Sequence, residues 1–163
     1  MSGDYLYYPA DNSDVTMPYQ GVVMSVDPSG RGKDETAYAI VAQLNGYLFV
    51  LDAGGFAGGY DADEVLKPLA MLAKKYNVNE ILVESNFGDG MFNQLFMPVL
   101  NKVHPVTTSE VRHNKQKERR IIDVLEPVMN QHRLVIDKKV IQKDFDSCQH
   151  LPPEQALRYQ LMY

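Results

Sequence analysis

The chain is predicted to fold as an α/β domain, a mixed central sheet flanked by helices. Three observations predict it. Three apolar runs with tight connections lie between Gly21 and Ala53, a helical period covers Ala62 to Tyr76, and a fourth apolar run, Ile81–Glu84, is reached only through that helix. The first three strands make an antiparallel three-strand meander. A strand reached through a helix must run parallel to a neighbour, by a crossover that is almost always right-handed.

The elements follow in order. Residues 1–20 carry Pro9, Asn12, Ser13, Asp14, Pro18 and several tyrosines without a period, and read as an arm or linker. Gly21–Asp27 is a short apolar strand that stops at Asp-Pro-Ser-Gly. Thr36–Leu44 is the second strand, Asn45-Gly46 the hairpin turn, and Tyr47–Ala53 the returning third. Gly54 to Gly59 then reads as a glycine loop, either a flap over a substrate groove or a plain connection. Asp61 or Asp63 caps a helix whose Val65, Leu69, Leu72 and Ala73 recur at helical spacing. After Ile81–Glu84 come a turn over Ser85–Gly90 and a helix over Met91–Val103 with a local fault or a break at Pro98. Val106–Val111 reads as a strand, Lys115–His132 as a helix containing Pro127, Leu134–Ile136 as a strand and Lys138–Gln149 as a last helix. The sheet is expected to hold about five strands, within one domain over residues 21–163.

Composition excludes several classes. No apolar run approaches the ~20 residues that span a bilayer, and Met1-Ser2-Gly3-Asp4-Tyr5 lacks the basic start of a secretory signal. Cys148 is the single cysteine, so no internal disulfide forms, which suits a reducing cytoplasm. His104, His113, His132 and His150 are scattered and form no zinc spacing. The net charge of −5 disfavours a passive nucleic-acid coat more than a metal-dependent nuclease, whose site must be acidic to hold its cations.

Asp27 and Glu84 carry the chemistry. Each ends an apolar strand, and if those strands are parallel neighbours both carboxylates emerge at one end of the sheet, where open α/β sheets build sites. Taken singly, Asp27 also fits a turn former and Glu84 a solvated strand end. Together they fit a shared hard cation, Mg²⁺ or Mn²⁺, which relieves the repulsion between two nearby carboxylates. Gly30-Arg31-Gly32-Lys33 lacks the spacing of a P-loop. Arg31 and Lys33 are either phosphate contacts or solvated loop charges. Arg112, Lys115, Lys117, Arg119 and Arg120 form the densest basic stretch, five of the sixteen Lys and Arg. They open a helix, where cations oppose its dipole. The stretch is either a phosphate contact or a solvated face.

Val26-Asp27-Pro28-Ser29-Gly30-Arg31-Gly32-Lys33-Asp34-Glu35-Thr36 resembles the first acidic motif of large terminase subunits from short-tailed phages. Val83-Glu84-Ser85-Asn86-Phe87-Gly88-Asp89-Gly90-Met91-Phe92 resembles their second. Lys117-Glu118-Arg119-Arg120-Ile121-Ile122, with Leu125-Glu126-Pro127-Val128, is similar to the helix that follows. The likeness runs from Val22 to Tyr163. It implies an RNase H-like nuclease domain behind an ATPase motor, cutting concatemeric viral double-stranded DNA in the host cytoplasm during packaging. Asp27 and Glu84 are then metal ligands for two ions, Asp34 an assisting ligand, and the basic residues DNA contacts. The implied partners are duplex DNA, an N-terminal ATPase domain, the small terminase subunit and the portal ring. The family's third acid, on a helix near the domain's C-terminal end, has no match here, so the domain is expected to lack that end. The alternative is a non-catalytic DNA- or portal-docking module with an incomplete metal site. A kinase of the actin-like class would need a second phosphate loop and a duplicated domain.

Overall fold

A computed structural model describes residues 17–29, 35–84, 90–112 and 117–152. The elements are β1 (Gly21–Asp27), β2 (Thr36–Leu44), β3 (Tyr47–Phe56), a π-helical segment (Ala62–Leu66) running into α1 (Lys67–Lys75), β4 (Glu80–Glu84), α2 (Met91–Val103), β5 (Thr107–Val111), α3 (Lys117–Asn130), β6 (Leu134–Ile136) and α4 (Lys138–Ser147). They build one mixed sheet in the order β5-β4-β1-β2-β3-β6. β1–β2 and β2–β3 are antiparallel, and β1–β4, β4–β5 and β3–β6 are parallel. The fold class is the predicted one. The sheet has six strands where about five were expected, because even the short β6 finds a full partner in β3.

Alternation sets the two faces. Along β1, Val22, Met24 and Val26 are buried while Val23, Ser25 and Asp27 are less so. The ladder partners Ala42, Ile40 and Tyr38 and, across β4, Ile81 and Val83 are buried with them. Side chains two apart on a strand share a face, and residues paired across a ladder share it too. This face meets Val65, Leu66, Leu69, Ala70 and Ala73 of the first helical stretch and Phe92, Phe96 and Leu100 of α2 in one cluster. Asp61 starts that stretch by accepting from the backbone N–H groups of Asp63 and Glu64 at 2.9 and 2.8 Å. Asn79 docks the crossover on β1: its Oδ1 accepts from the Val22 N–H at 2.7 Å, and its own N–H donates to the Val22 carbonyl at 2.8 Å.

Three expectations are corrected. The glycine loop begins later than its composition implied, since Gly54, Gly55 and Phe56 continue β3, opposite Tyr38, Ala37 and Thr36. The glycines are there for close approach. A Cβ on Gly54 would sit 3.1 Å from both the Tyr38 hydroxyl and the Lys143 ammonium, and one on Gly55 would sit 2.6 Å from the Glu35 carboxylate. Phe56 stacks on Tyr38 at 5.5 Å and Tyr60 meets Phe92 edge-on at 5.8 Å, so both rings pack against the buried cluster. Pro98 does not break α2. It and Gln94, whose carbonyl it cannot bond, both lie on the exposed side, where water can solvate that carbonyl. The predicted helix over Ala62–Tyr76 opens as a π-helical segment rather than as regular α-helix.

Candidate active site

The parallel ladder between β1 and β4 ends on the pair Val26–Val83, so Asp27 and Glu84 are the next residue on each strand. Neighbouring strands lie about 4.8 Å apart, which brings the two side chains to the same small region. Val26 and Val83 face the buried cluster, so Asp27 and Glu84 both project from the opposite face. The sheet thus brings together the two acids singled out from the sequence, at the carboxyl ends of its two central parallel strands. Both are half-buried, and each takes part in further interactions of its own.

The surroundings fix these strand ends. Asp27 is paired with Ala37 in the β1–β2 ladder and Glu84 with Val111 in the β4–β5 ladder. Beyond Asp27, Pro28 has no N–H to continue the ladder, and the next N–H, that of Ser29, donates to the Thr36 hydroxyl at 3.1 Å. The donor set suits a hard divalent cation. It consists of acidic oxygens on rigid strands, with no thiol or imidazole at the same strand ends among the described residues. Among the described residues, no group of three or more His, Cys, Asp or Glu side chains is placed to hold an ion. Asp34, Arg31 and Lys33, expected to assist, lie outside the described residues, as does Lys115. Lys117, Arg119 and Arg120 fall in the first turns of α3, and their side chains also lie outside the described part.

Arg112 directly follows Val111, the partner of Glu84, and is exposed at the same end of the sheet. With Gly90, Asn93, Gln94, Met97 and Glu110 it lines an open cleft of about 550 Å³. Asn93 Nδ2 donates to Glu110 at 2.8 Å across it, and Asn93 Oδ1 is buried without a hydrogen-bond partner among the described residues. Glu110 pairs with Val83 and so shares the face of the buried cluster, which keeps it apart from the Asp27–Glu84 face.

A second charged cluster was missed in the sequence. Asp52 on β3 is 8% exposed. Its Oδ1 accepts from Lys143 of α4 at 2.9 Å and its Oδ2 from the Tyr38 hydroxyl at 3.3 Å, while Lys143 also donates to Tyr38 at 2.8 Å. Burial raises the Tyr38 hydroxyl above its ordinary pKa, with Asp52 adding to the rise against the pull of Lys143. Burial alone would lower the Lys143 ammonium, but its bonds to Tyr38 and Asp52 outweigh that and hold it high. The signal was available: Asp52 is a lone acid within the apolar run Leu48–Ala53. Two further acids have local roles, Asp137 capping α4 through the Lys139 N–H at 2.9 Å and Asp146 accepting from Gln142 at 2.8 Å. His104 ends α2 and bonds the Val78 carbonyl through Nε2 at 2.8 Å. Among the described residues no helix is long and apolar enough to cross a membrane.

Known proteins resemble this arrangement. The family model described as the ribonuclease H-like domain of the bacteriophage T7 terminase matches residues 26–134. The large terminase subunit of Enterobacteria phage T3 is 44% identical over 163 residues, which are 100% of this chain and 28% of that protein. The chain therefore spans under a third of that relative's length. Among solved structures, the Mn-soaked nuclease domain of human cytomegalovirus terminase superimposes with a TM-score of 0.56 at 10% identity, over 88% of this chain and 81% of that one. A mutant large terminase subunit from bacteriophage Sf6 with calcium gives 0.53 at 16% identity, over 75% and 65%. At these identities the structures share the fold.

Proposed function

The chain belongs to the family of T7-type terminase ribonuclease H-like domains, and on that premise we propose that it is the metal-dependent endonuclease that cuts concatemeric viral double-stranded DNA during genome packaging. The observation that carries this reading is the placement of Asp27 and Glu84, one residue beyond the Val26–Val83 pair, at one end and on one face of the sheet. The Mn-soaked and calcium-containing relatives of the same fold support the use of divalent ions, Mg²⁺ or Mn²⁺.

Asp27 and Glu84 would hold the ions, with Asp34 as a further oxygen donor. When bound, a pair of divalent cations supplies positive charge to the scissile phosphate and lowers the pKa of a water. The carboxylates do not attack phosphorus. They would hold the ions in a fixed direction, because each is anchored to a strand that is hydrogen-bonded to a neighbour on both sides. The exposed Arg112, at the same sheet end, would meet a backbone phosphate of the duplex, and Arg31, Lys33, Lys115, Lys117, Arg119 and Arg120 would extend that track. Residues 21–163 then form the nuclease unit, with residues 1–20 as its arm. In the larger protein it would work beside an ATPase domain, the small subunit and the portal ring, in the host cytoplasm.

Cleavage of supercoiled plasmid in Mn²⁺ tests the proposal. The chain is expected to nick and linearise it, and Asp27→Asn or Glu84→Gln to abolish cutting without loss of folding. Binding of DNA with no cleavage at any Mn²⁺ or Mg²⁺ concentration would instead favour a docking module.

A further inference from the structure

The reading above leaves open what aims Asp27. The β1–β2 ladder closes on Asp27–Ala37, and continuing it would pair Pro28 with Thr36. Proline has no N–H to give. The chain solves this with side chains: the Ser29 N–H donates to Thr36 Oγ1 at 3.1 Å, and the two hydroxyls meet at 3.2 Å. Both residues are buried, Thr36 at 0% and Ser29 at 6% exposed. Buried hydroxyls at a loop base are unusual company for the apolar cluster beside them, and these two satisfy each other. Next to Thr36, the Glu35 carboxylate lies over Gly55, 2.6 Å from where a Cβ at that glycine would sit.

We infer that Thr36 is a positioning residue for metal binding, holding the Asp27-Pro28-Ser29 segment so that the Asp27 carboxylate faces Glu84. Thr36 does not reach the ions itself. Its side chain belongs to the buried face and Asp27 to the other, so it acts through the two intervening backbone units. The inference rests on Asp27 and Glu84 being the metal ligands.

The test is Mn²⁺ binding by calorimetry on the full chain, beside plasmid cleavage. Thr36→Val keeps shape and strand preference but removes the acceptor. It is expected to weaken Mn²⁺ binding by about tenfold, as loss of groups that orient metal ligands commonly does, and to shift the Mn²⁺ requirement of cleavage equally. Thr36→Ser keeps the hydroxyl and is expected to bind within about twofold of the parent, a restoration that a purely packing role would not give. Should Thr36→Val fail to fold, Ser29→Ala, which removes only the hydroxyl pair, is expected to weaken binding by a smaller factor. Mn²⁺ affinity equal to the parent in Thr36→Val, or in Ser29→Ala where Thr36→Val is unfolded, overturns the inference. Absence of Mn²⁺ binding in the parent itself overturns the metal-site reading instead.

Discussion

Lys143 reaches from α4 to Asp52 on β3, 91 residues earlier, and places its Nζ 2.9 Å from the carboxylate. The contact ties the last described helix to the meander on which β1 depends. Lys143 also donates to Tyr38, whose ladder partner is Val26, the residue before Asp27. Lys143→Met is expected to destabilise the fold by about 1–3 kcal/mol, the cost of leaving a buried polar group short of a partner. Chemical denaturation would read this, and Asp52→Asn in the same background should recover part of the loss.

The same cluster sets an alkaline limit. Tyr38 and Lys143 both have folded pKa values above their ordinary 10.0 and 10.5. A raised pKa means the unfolded chain gives up the proton first, so stability falls as pH rises. The contribution is complete below pH 10, declines above it, and is lost once the folded groups titrate. A thermal-melt series from pH 8 upward should show the decline, and Tyr38→Phe should flatten it.

Divalent ions are expected to raise the melting temperature of the parent chain and not that of Asp27→Asn, because a ligand that binds only the folded state stabilises it by mass action. At an ion concentration about 100 times the dissociation constant the gain is roughly 2.7 kcal/mol. An equal rise in both proteins would place the ions elsewhere.

Gly55→Ala puts a Cβ 2.6 Å from the Glu35 carboxylate, and overpacking of this kind costs about 1–3 kcal/mol. Glu35→Ala should remove most of the penalty. A double-mutant cycle with no coupling would show that the backbone, not Glu35, restricts the position.

Arg112→Ala is expected to weaken DNA binding evenly across sequences and to lower the salt slope by about one, the signature of a single phosphate contact. Titration at several salt concentrations measures it. Phe96→Ala, by contrast, empties a fully buried site between α2 and the sheet and should cost about 3–5 kcal/mol.

Much of the site was legible because its signal is local. A run such as Val22–Val26 followed by an acid announces a strand end, and a helix between two such runs announces parallel neighbours. On that basis Asp27 and Glu84 could be expected at one end of the sheet, where they lie, while their role as metal ligands rested on the family resemblance as well. The Asp52–Lys143 pair could not, since nothing near Asp52 in the sequence names a partner on a distant helix. Gly54 and Gly55 were misread for a related reason. Glycine ordinarily signals a loop, and what makes it necessary inside β3 is the crowding from Tyr38, Lys143 and Glu35. Pro98 is tolerated because the carbonyl it leaves unbonded faces water, a property of the folded helix and not of the residue.

The crossover that joins β1 to β4 has a consequence in time. Hairpins β1–β2–β3 form from neighbours in sequence, whereas the bond from Val22 to Asn79 closes a separation of 57 residues. Long-range pairing of this kind comes late. A nascent or partly unfolded chain that has made only its hairpins holds Asp27 without Glu84 beside it, so the acidic pair at this end of the sheet exists only once the crossover has closed.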